Sequence, residues 1–251
     1  LIFYEYPFNE SIRTMLRLEH LFLRLAALLP RETALDHHHA LSTVFEIMDV
    51  ASRADVKADL LQELERQRLQ LATYRGNPSI SEQALELTLQ RVGEAHQQLL
   101  RMPGKAGQAL SNNEWLMSVR SRISIPGGTC SFDLPGYHAW QQEGAQQRRD
   151  DLQRWTRSLD PLSEALTICL GLLREGGAPQ YVVVHRGQFQ HSLGNARSYQ
   201  LVRVAVDPER RLVPEISGNR LLVSVRLMRA DLDRRLTPVT EDVRLEMTLC
   251  P

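Results

Sequence analysis

The chain has 251 residues and balances 30 Lys+Arg against 30 Asp+Glu, a formal net charge of zero with histidine neutral. That balance excludes a protein that grips nucleic acid through a surplus of cations. A composition of 43% hydrophobic and 24% charged residues excludes a disordered chain and allows one large domain or two smaller ones. No uncharged run exceeds ten residues, and the one from Ile123 to Phe132 contains Pro-Gly-Gly, so no membrane span is expected. Cys130, Cys169 and Cys250 are odd in number and lack CxxC spacing, which fits buried thiols in a reducing compartment better than a disulfide frame or zinc ribbon. The expectation is a soluble cytosolic protein.

In chain order, an aromatic-rich start (Phe3, Tyr4, Tyr6, Phe8) is followed by Asn9, an N-cap for a helix with Ile12, Met15, Phe22, Ala26 and Leu29 on its apolar face. Pro30 ends that helix. A second runs from about Leu41 through Phe45 and Met48 to Ala51. Residues 59–74 carry Leu60, Leu61, Leu64 and Leu71 on one side. Gly76-Asn77-Pro78 breaks the pattern, and Ser79 with Glu82 reads as a capping box for a helix bearing Leu85, Leu89, Val92, His96 and Leu99. Two long helices with so short a turn predict an antiparallel hairpin. Leu152, Trp155, Leu159, Leu162, Leu166, Cys169 and Leu173 alternate three and four apart across Asp160-Pro161, giving two helices that share one buried face.

Beyond Gly176-Gly177 the period changes. Residues 181–184, 199–206, 220–228 and 243–249 are β-rich, with turn signals at Asp207-Pro208-Glu209 and Ser217-Gly218-Asn219 that make neighbouring runs hairpins. No helix of ten residues separates them, so parallel wiring is not expected. The fold class is α+β, an all-helical domain over 1–175 followed by an antiparallel β domain over 178–251.

Catalytic and cofactor motifs are sparse. There is no GxGxxG after a strand, no GxxxxGK[ST], no HExxH and no GxSxG. His37-His38-His39, read as a short loop, lacks partners that would converge on one ion, so no metal and no cofactor is expected. The run from Arg120 to Trp140 is the most unusual. One reading makes Cys130 a nucleophile, His138 its base and the Gly127 and Gly128 amides an oxyanion hole, giving a thiol-dependent enzyme. Another makes it a structured linker, in which Ile-Pro-Gly-Gly turns, Asp133 caps and Pro135 opens a helix bearing His138 and Trp140. A third places Arg120, Arg122 and His138 around a groove for an acidic peptide.

The stretch Ser124-Ile125-Pro126-Gly127-Gly128-Thr129-Cys130-Ser131-Phe132-Asp133-Leu134-Pro135, with His138 and Trp140, closely resembles the corresponding run of the ZapD family of bacterial cell-division factors. The resemblance extends to Phe3-Tyr4-Glu5-Tyr6-Pro7-Phe8-Asn9-Glu10, Arg13-Thr14, Asp49-Val50 with Arg53, the segment from Trp155 to Leu166, Pro214-Glu215-Ile216-Ser217-Gly218 and Arg226-Leu227-Met228. It implies a helical and a β domain, a homodimer, and binding to the C-terminal tail of FtsZ, with no enzymatic activity. As a homodimer it would crosslink and bundle FtsZ protofilaments, stabilise the division ring, lower FtsZ GTPase activity and be recruited to mid-cell. It implies further a basic tail pocket in which Arg13, Arg53, His138 and Arg226 match family positions, with Arg120, Arg122 and Arg220 close in sequence. Two departures stand out. Asn112-Asn113-Glu114 lies where relatives can carry Arg, and Leu221-Leu222 replaces a cation just after Arg220.

Overall fold

The computed structural model describes residues 1–53, 55–194 and 198–251, with Arg53 described by its backbone alone. The chain forms two compact units, one of residues 1–13 with 170–251 and one of residues 14–169. The first strand therefore belongs with the β-rich end of the chain. A helical domain over 1–175 did not anticipate this, because the aromatic start was read only as the approach to a helix.

In the β unit, β1 (Ile2–Pro7) pairs antiparallel with β4 (Leu201–Val206), which pairs with β8 (Val243–Cys250), which pairs with β2 (Pro179–Val184). The second sheet is β3 (Gln188–Ser192), β6 (Leu222–Ala230) and β5 (Leu212–Gly218), with β7 (Leu236–Pro238) beside β6. Val202, Val204, Val206, Leu245 and Met247 of the first sheet form one core with Leu212, Val223, Val225 and Leu227 of the second. This is the alternation expected of a sandwich, and each fully buried Val or Leu contributes about 1.5–3 kcal/mol. The hairpin at 217–219 forms as the sequence indicates, joining β5 and β6. The turn at 207–209 instead carries the chain from one sheet to the other, because β4 is taken on both edges by β1 and β8. β3 and β7 escape the sequence reading because their residues are mostly polar or exposed.

One charged cluster fastens the first strand. Glu5 accepts two hydrogen bonds from Arg174, at 2.8 Å each, and a third from Arg203 at 2.9 Å. The Arg203 guanidinium lies 4.6 Å from the centre of the Phe3 ring. All three charged side chains are about one-fifth exposed, so their attraction is only partly screened.

The helical unit contains α1 (Glu10–Leu28, its first turn in the β unit), α2 (Ala34–Arg53), α3 (Val56–Ala72), α4 (Glu82–Arg101), the short α5 (Gln108–Ser111), α6 (Glu114–Ile123), α7 (Pro135–Gln141), α8 (Ala145–Thr156) and most of α9 (Asp160–Glu175). Asn9 caps α1 through a 2.8 Å bond from the Ile12 amide. The buried stripe of α1 runs Ile12, Met15, Leu18, Leu21 and Leu25, leaving Phe22 and Leu29 half-buried and Ala26 exposed. Leucines on several faces make that register ambiguous from spacing alone. α3 and α4 form the expected antiparallel hairpin, since Lys57 at the start of α3 donates to Leu100 O and Met102 O at the end of α4. The cap of α4 is Ser81, not Ser79. The first turn of α9 begins at Asp160 directly after a 3₁₀ turn over Arg157–Leu159, so the two helices run on with little break.

α2 starts a full two turns earlier than its apolar pattern suggests. Thr33 and Asp36 cap it reciprocally, the Asp36 amide to Thr33 Oγ1 at 3.0 Å and the Thr33 hydroxyl to the carboxylate at 2.7 Å. The three histidines are consequently helical and face different neighbours. His37 is buried beside Arg148, itself only 5% exposed. Arg148 donates to His37 Nδ1 at 2.9 Å, to Gln141 O at 3.1 Å, to Glu32 O at 2.6 Å and to Glu143 O. Among the described residues no carboxylate pairs with it, so carbonyl oxygens and one imidazole nitrogen carry the burden of solvating the charge. His37 Nε2 lies 2.9 Å from Arg31 O and must donate there, which leaves Nδ1 as the acceptor and the ring neutral. His38 Nδ1 sits 2.7 Å from the Tyr137 hydroxyl, which also accepts from Gln141. Burial and, behind it, Arg148 and Arg149 hold His37 below the usual histidine range, and burial does the same for His38.

A folded-state pKa below the unfolded 6.5 means that the unfolded chain binds protons first as pH falls. This contribution to stability is full above pH 6.5 and is lost as pH drops toward the depressed folded value. Urea midpoints between pH 8 and about 5 will show this decline. His37→Gln, which can still accept from Arg148 and donate to Arg31 O, will make the decline shallower.

Candidate functional site

The β unit brings two of the expected cations to one corner. Arg13 in the first turn of α1 lies 5.6 Å over the Tyr6 ring, 3.2 Å from Glu10 and 3.5 Å from Pro7 O. The Tyr6 hydroxyl donates to Gly218 O at 3.2 Å, and a Cβ on Gly218 would come within 2.8 Å of the Phe8 ring. Glycine is therefore required there, and the close approach pins the β5–β6 turn against the end of β1. Arg220 stands exposed in that turn beside Leu221, 61% exposed, and Leu222. The Asn219 side chain holds the turn by accepting from the Leu221 and Leu222 amides at 2.8 and 3.1 Å. The two leucines that replace a cation in the sequence thus present an apolar step next to Arg220.

Arg226 does not join that corner. It sits exposed in the middle of β6, opposite Glu215 of β5 and Gln188 of β3. It lies four residues into β6 from Leu222, about 13 Å of strand beyond the turn that bears Arg220.

In the helical unit, Arg120 of α6 is clasped by Asp49 of α2, a contact that sets the end of α6 against the last turns of α2, where Arg53 lies. Arg120 is thereby committed to holding two helices together. Arg122, in the last turn of α6, is exposed and has no side-chain hydrogen bond or ion-pair partner among the described residues. The loop after it is a series of tight turns: Ile125 N to Arg122 O at 3.0 Å, Gly128 N to Ile125 O at 2.9 Å, and Asp133 and Leu134 amides to Cys130 O at 3.0 Å. Gly127 has φ of 70°, and a Cβ on Gly128 would meet Arg122 O at 2.7 Å, which explains the paired glycines. Asp133 does not cap α7; Leu134 occupies that position without a side-chain bond.

His138 is exposed on α7, whose buried face carries Tyr137 and Trp140. These rings, with Trp115 and Trp155, form one aromatic nest in which Trp115 stacks on Trp155 at 5.1 Å and Tyr137 on Trp140 at 5.7 Å. Asp151 ties it down by accepting from the Trp140 indole at 3.1 Å and from Arg154 at 2.6 Å. The aromatic content of this segment is thus accounted for by packing, while His138 is exposed.

The thiol-enzyme arrangement is not assembled. Cys130 and His138 are both exposed, and no hydrogen bond joins them. The Gly128 amide is spent on Ile125 O, so it cannot serve an oxyanion. Among the described residues no group of three or more His, Cys, Asp or Glu is placed to hold a metal ion, and no helix is long and apolar enough to cross a membrane.

What the two units present is arginine on exposed turns and helix ends beside apolar side chains. The ZapD family model, described as a cell division protein, matches residues 16–226, and the chain belongs to that family.

Of the three thiols, Cys169 and Cys250 are buried, and burial raises both, Cys250 to about 11. Ellman's reagent at neutral pH will therefore titrate one thiol, Cys130, in the native protein and three after denaturation.

Proposed function

We propose that this cell-division protein binds the C-terminal tail of FtsZ and, as a homodimer, crosslinks and bundles FtsZ protofilaments, stabilising the division ring and lowering FtsZ GTPase activity. It acts in the cytoplasm, is recruited to mid-cell by FtsZ, and uses no cofactor. The observation that carries this reading is the corner of the β unit where Arg13 rests on Tyr6, whose hydroxyl bonds to Gly218 of the turn that bears Arg220 and the exposed Leu221 and Leu222. A tail with carboxylates and apolar residues is matched there by guanidinium forks and an apolar step. Arg122 and His138 in the helical unit, and Arg226 on β6, are exposed and available as further donors. Arg53 and Arg120 belong to the same set implied by the family resemblance.

Bundling needs two sites on one body. The outer edge of β2 has no strand partner among the described residues, and it bears Tyr181 at 67% and Val183 at 45% exposure. An exposed apolar edge of this kind suits pairing with a second copy. A dimer then offers two tails' worth of binding, and multivalent attachment to a filament raises avidity by roughly 10² to 10⁴ over a single contact.

Sedimentation with FtsZ and with tail-deleted FtsZ tests the reading: the protein should pellet with the first and stay in solution with the second. Arg220→Ala, which removes an exposed side chain with no bonding partner among the described residues, should weaken tail-peptide binding by about tenfold, and raised salt should weaken it further. If both arms leave binding untouched, the tail is held elsewhere.

A second expectation concerns assembly. Tyr181→Asp with Val183→Asp should yield a monomer that still binds one tail peptide yet no longer bundles filaments by light scattering. Bundling by that monomer would refute the need for two linked sites.

A further inference from the structure

A separate cavity of about 370 Å³ lies in the helical unit, where the end of α4, the loop to α5 and the 3₁₀ turn before α9 meet. Its floor is apolar, made by Met102, Pro103, Ala109 and Pro161, and its rim carries Arg101, Lys105 and Arg157. No acidic side chain lines it. All three rim cations are exposed, and among the described residues none has a side-chain hydrogen bond or ion-pair partner. Arg157 also acts electrostatically on Asp160, which does not line the cavity.

Two features sharpen the positive character. Lys57 donates to Met102 O at 2.6 Å and to Leu100 O at 3.3 Å, so carbonyls at the end of α4, the negative end of its dipole, are already neutralised. Gly104 and Gly107 adopt left-handed φ of 64° and 84°, and the Gly107 Cα packs tightly enough on Met48 that a Cβ would stand 3.2 Å from its Cγ. The loop bearing Lys105 is thus built on conformations that other residues resist. Both lysines of the chain serve this one place.

The lining also decides what kind of anion fits. No aromatic ring is available to stack a nucleotide base, and the polar groups present, Gln98, Gln108 and Ser158, are those that pair with peptide amides. Cations set on three separate elements around an open apolar floor suit carboxylates spaced along a chain, with an aliphatic side chain between them. We propose that this cavity docks a short acidic peptide segment of a partner protein, one carrying an apolar residue between its carboxylates. FtsZ-tail binding is assigned above to other residues, so the two sites are tested separately.

The test uses the full chain and a fluorescein-labelled peptide, Gly-Asp-Glu-Leu-Pro-Asp-Glu-Gly, followed by fluorescence anisotropy. Saturable binding is expected, weakened by more than about tenfold in Arg101→Glu with Arg157→Glu and in a peptide whose acids are replaced by Asn and Gln. Circular dichroism of the variant checks that it is folded. Carbodiimide coupling of the peptide's carboxylates to amines, read by mass spectrometry, should mark Lys105 and spare Lys57, whose ammonium is occupied by two carbonyls. Absence of binding at peptide concentrations up to about 1 mM overturns the proposal. So does coupling that avoids Lys105, or full competition by inorganic phosphate at about 10 mM, which would make the cavity a simple anion site.

Discussion

The pairing of β1 with β4, and the clamp of Arg174 and Arg203 on Glu5, is the constraint on which the β unit rests. It joins residues 198 positions apart in the sequence. Loop-closure entropy grows only slowly with length, so the six-residue register and the ion cluster can hold such a closure once the sandwich core forms. β1 supplies Tyr4 and Tyr6, and the chain just beyond it Phe8, to the partly buried rim of that core. It also gives Arg13 its footing on Tyr6 and fixes the β5–β6 turn through Gly218. The basic-apolar corner exists because the first strand is in place.

That closure makes the helical unit an insertion between the first strand and the rest of the β unit. Its core is built from leucine-rich stripes, but polar groups at its centre determine how the elements meet. Arg148 gathers three carbonyls, from the end of α7 and its link to α8 and from the turn before α2, while leaning on His37, and Asp151 holds the tryptophan nest. Glu63 and Gln67 bond to each other inside α3, and Gln67 reaches Cys169 O of α9. Buried polar groups of this kind are costly unless satisfied, and satisfied ones restrict the packing to few alternatives.

The arginine-rich composition divides accordingly. Arg148, Arg120, Arg174 and Arg203 are structural, each occupied by a partner inside its own unit. Arg122, Arg220 and Arg226, and the rim cations Arg101 and Arg157, are exposed and have no bonded counterion among the described residues. A net charge of zero is therefore compatible with local basic surfaces, because many of the acids are already consumed by structural arginines or lie on other faces.

The sequence by itself determined the α+β class, the α3–α4 hairpin, the β5–β6 turn and membership of the ZapD family, all signals that reside in local periodicity, turn chemistry or a contiguous run of residues. The signature loop was legible for the same reason: its glycines, proline and cap-like residues act on their immediate neighbours. Tertiary structure alone decided that β1 belongs to the β unit, that β4 is a central strand, and that α1 turns Leu18 and Leu21 inward in place of Phe22. It also decided which arginines are spoken for. Arg120 looked as free as Arg122 until Asp49, 71 positions away, was placed beside it, and Arg101, Lys105 and Arg157 were unremarkable until the fold gathered them around one floor. Strand pairing and ion pairing depend on contacts between distant parts of the chain, and periodicity reports only on a residue's own element.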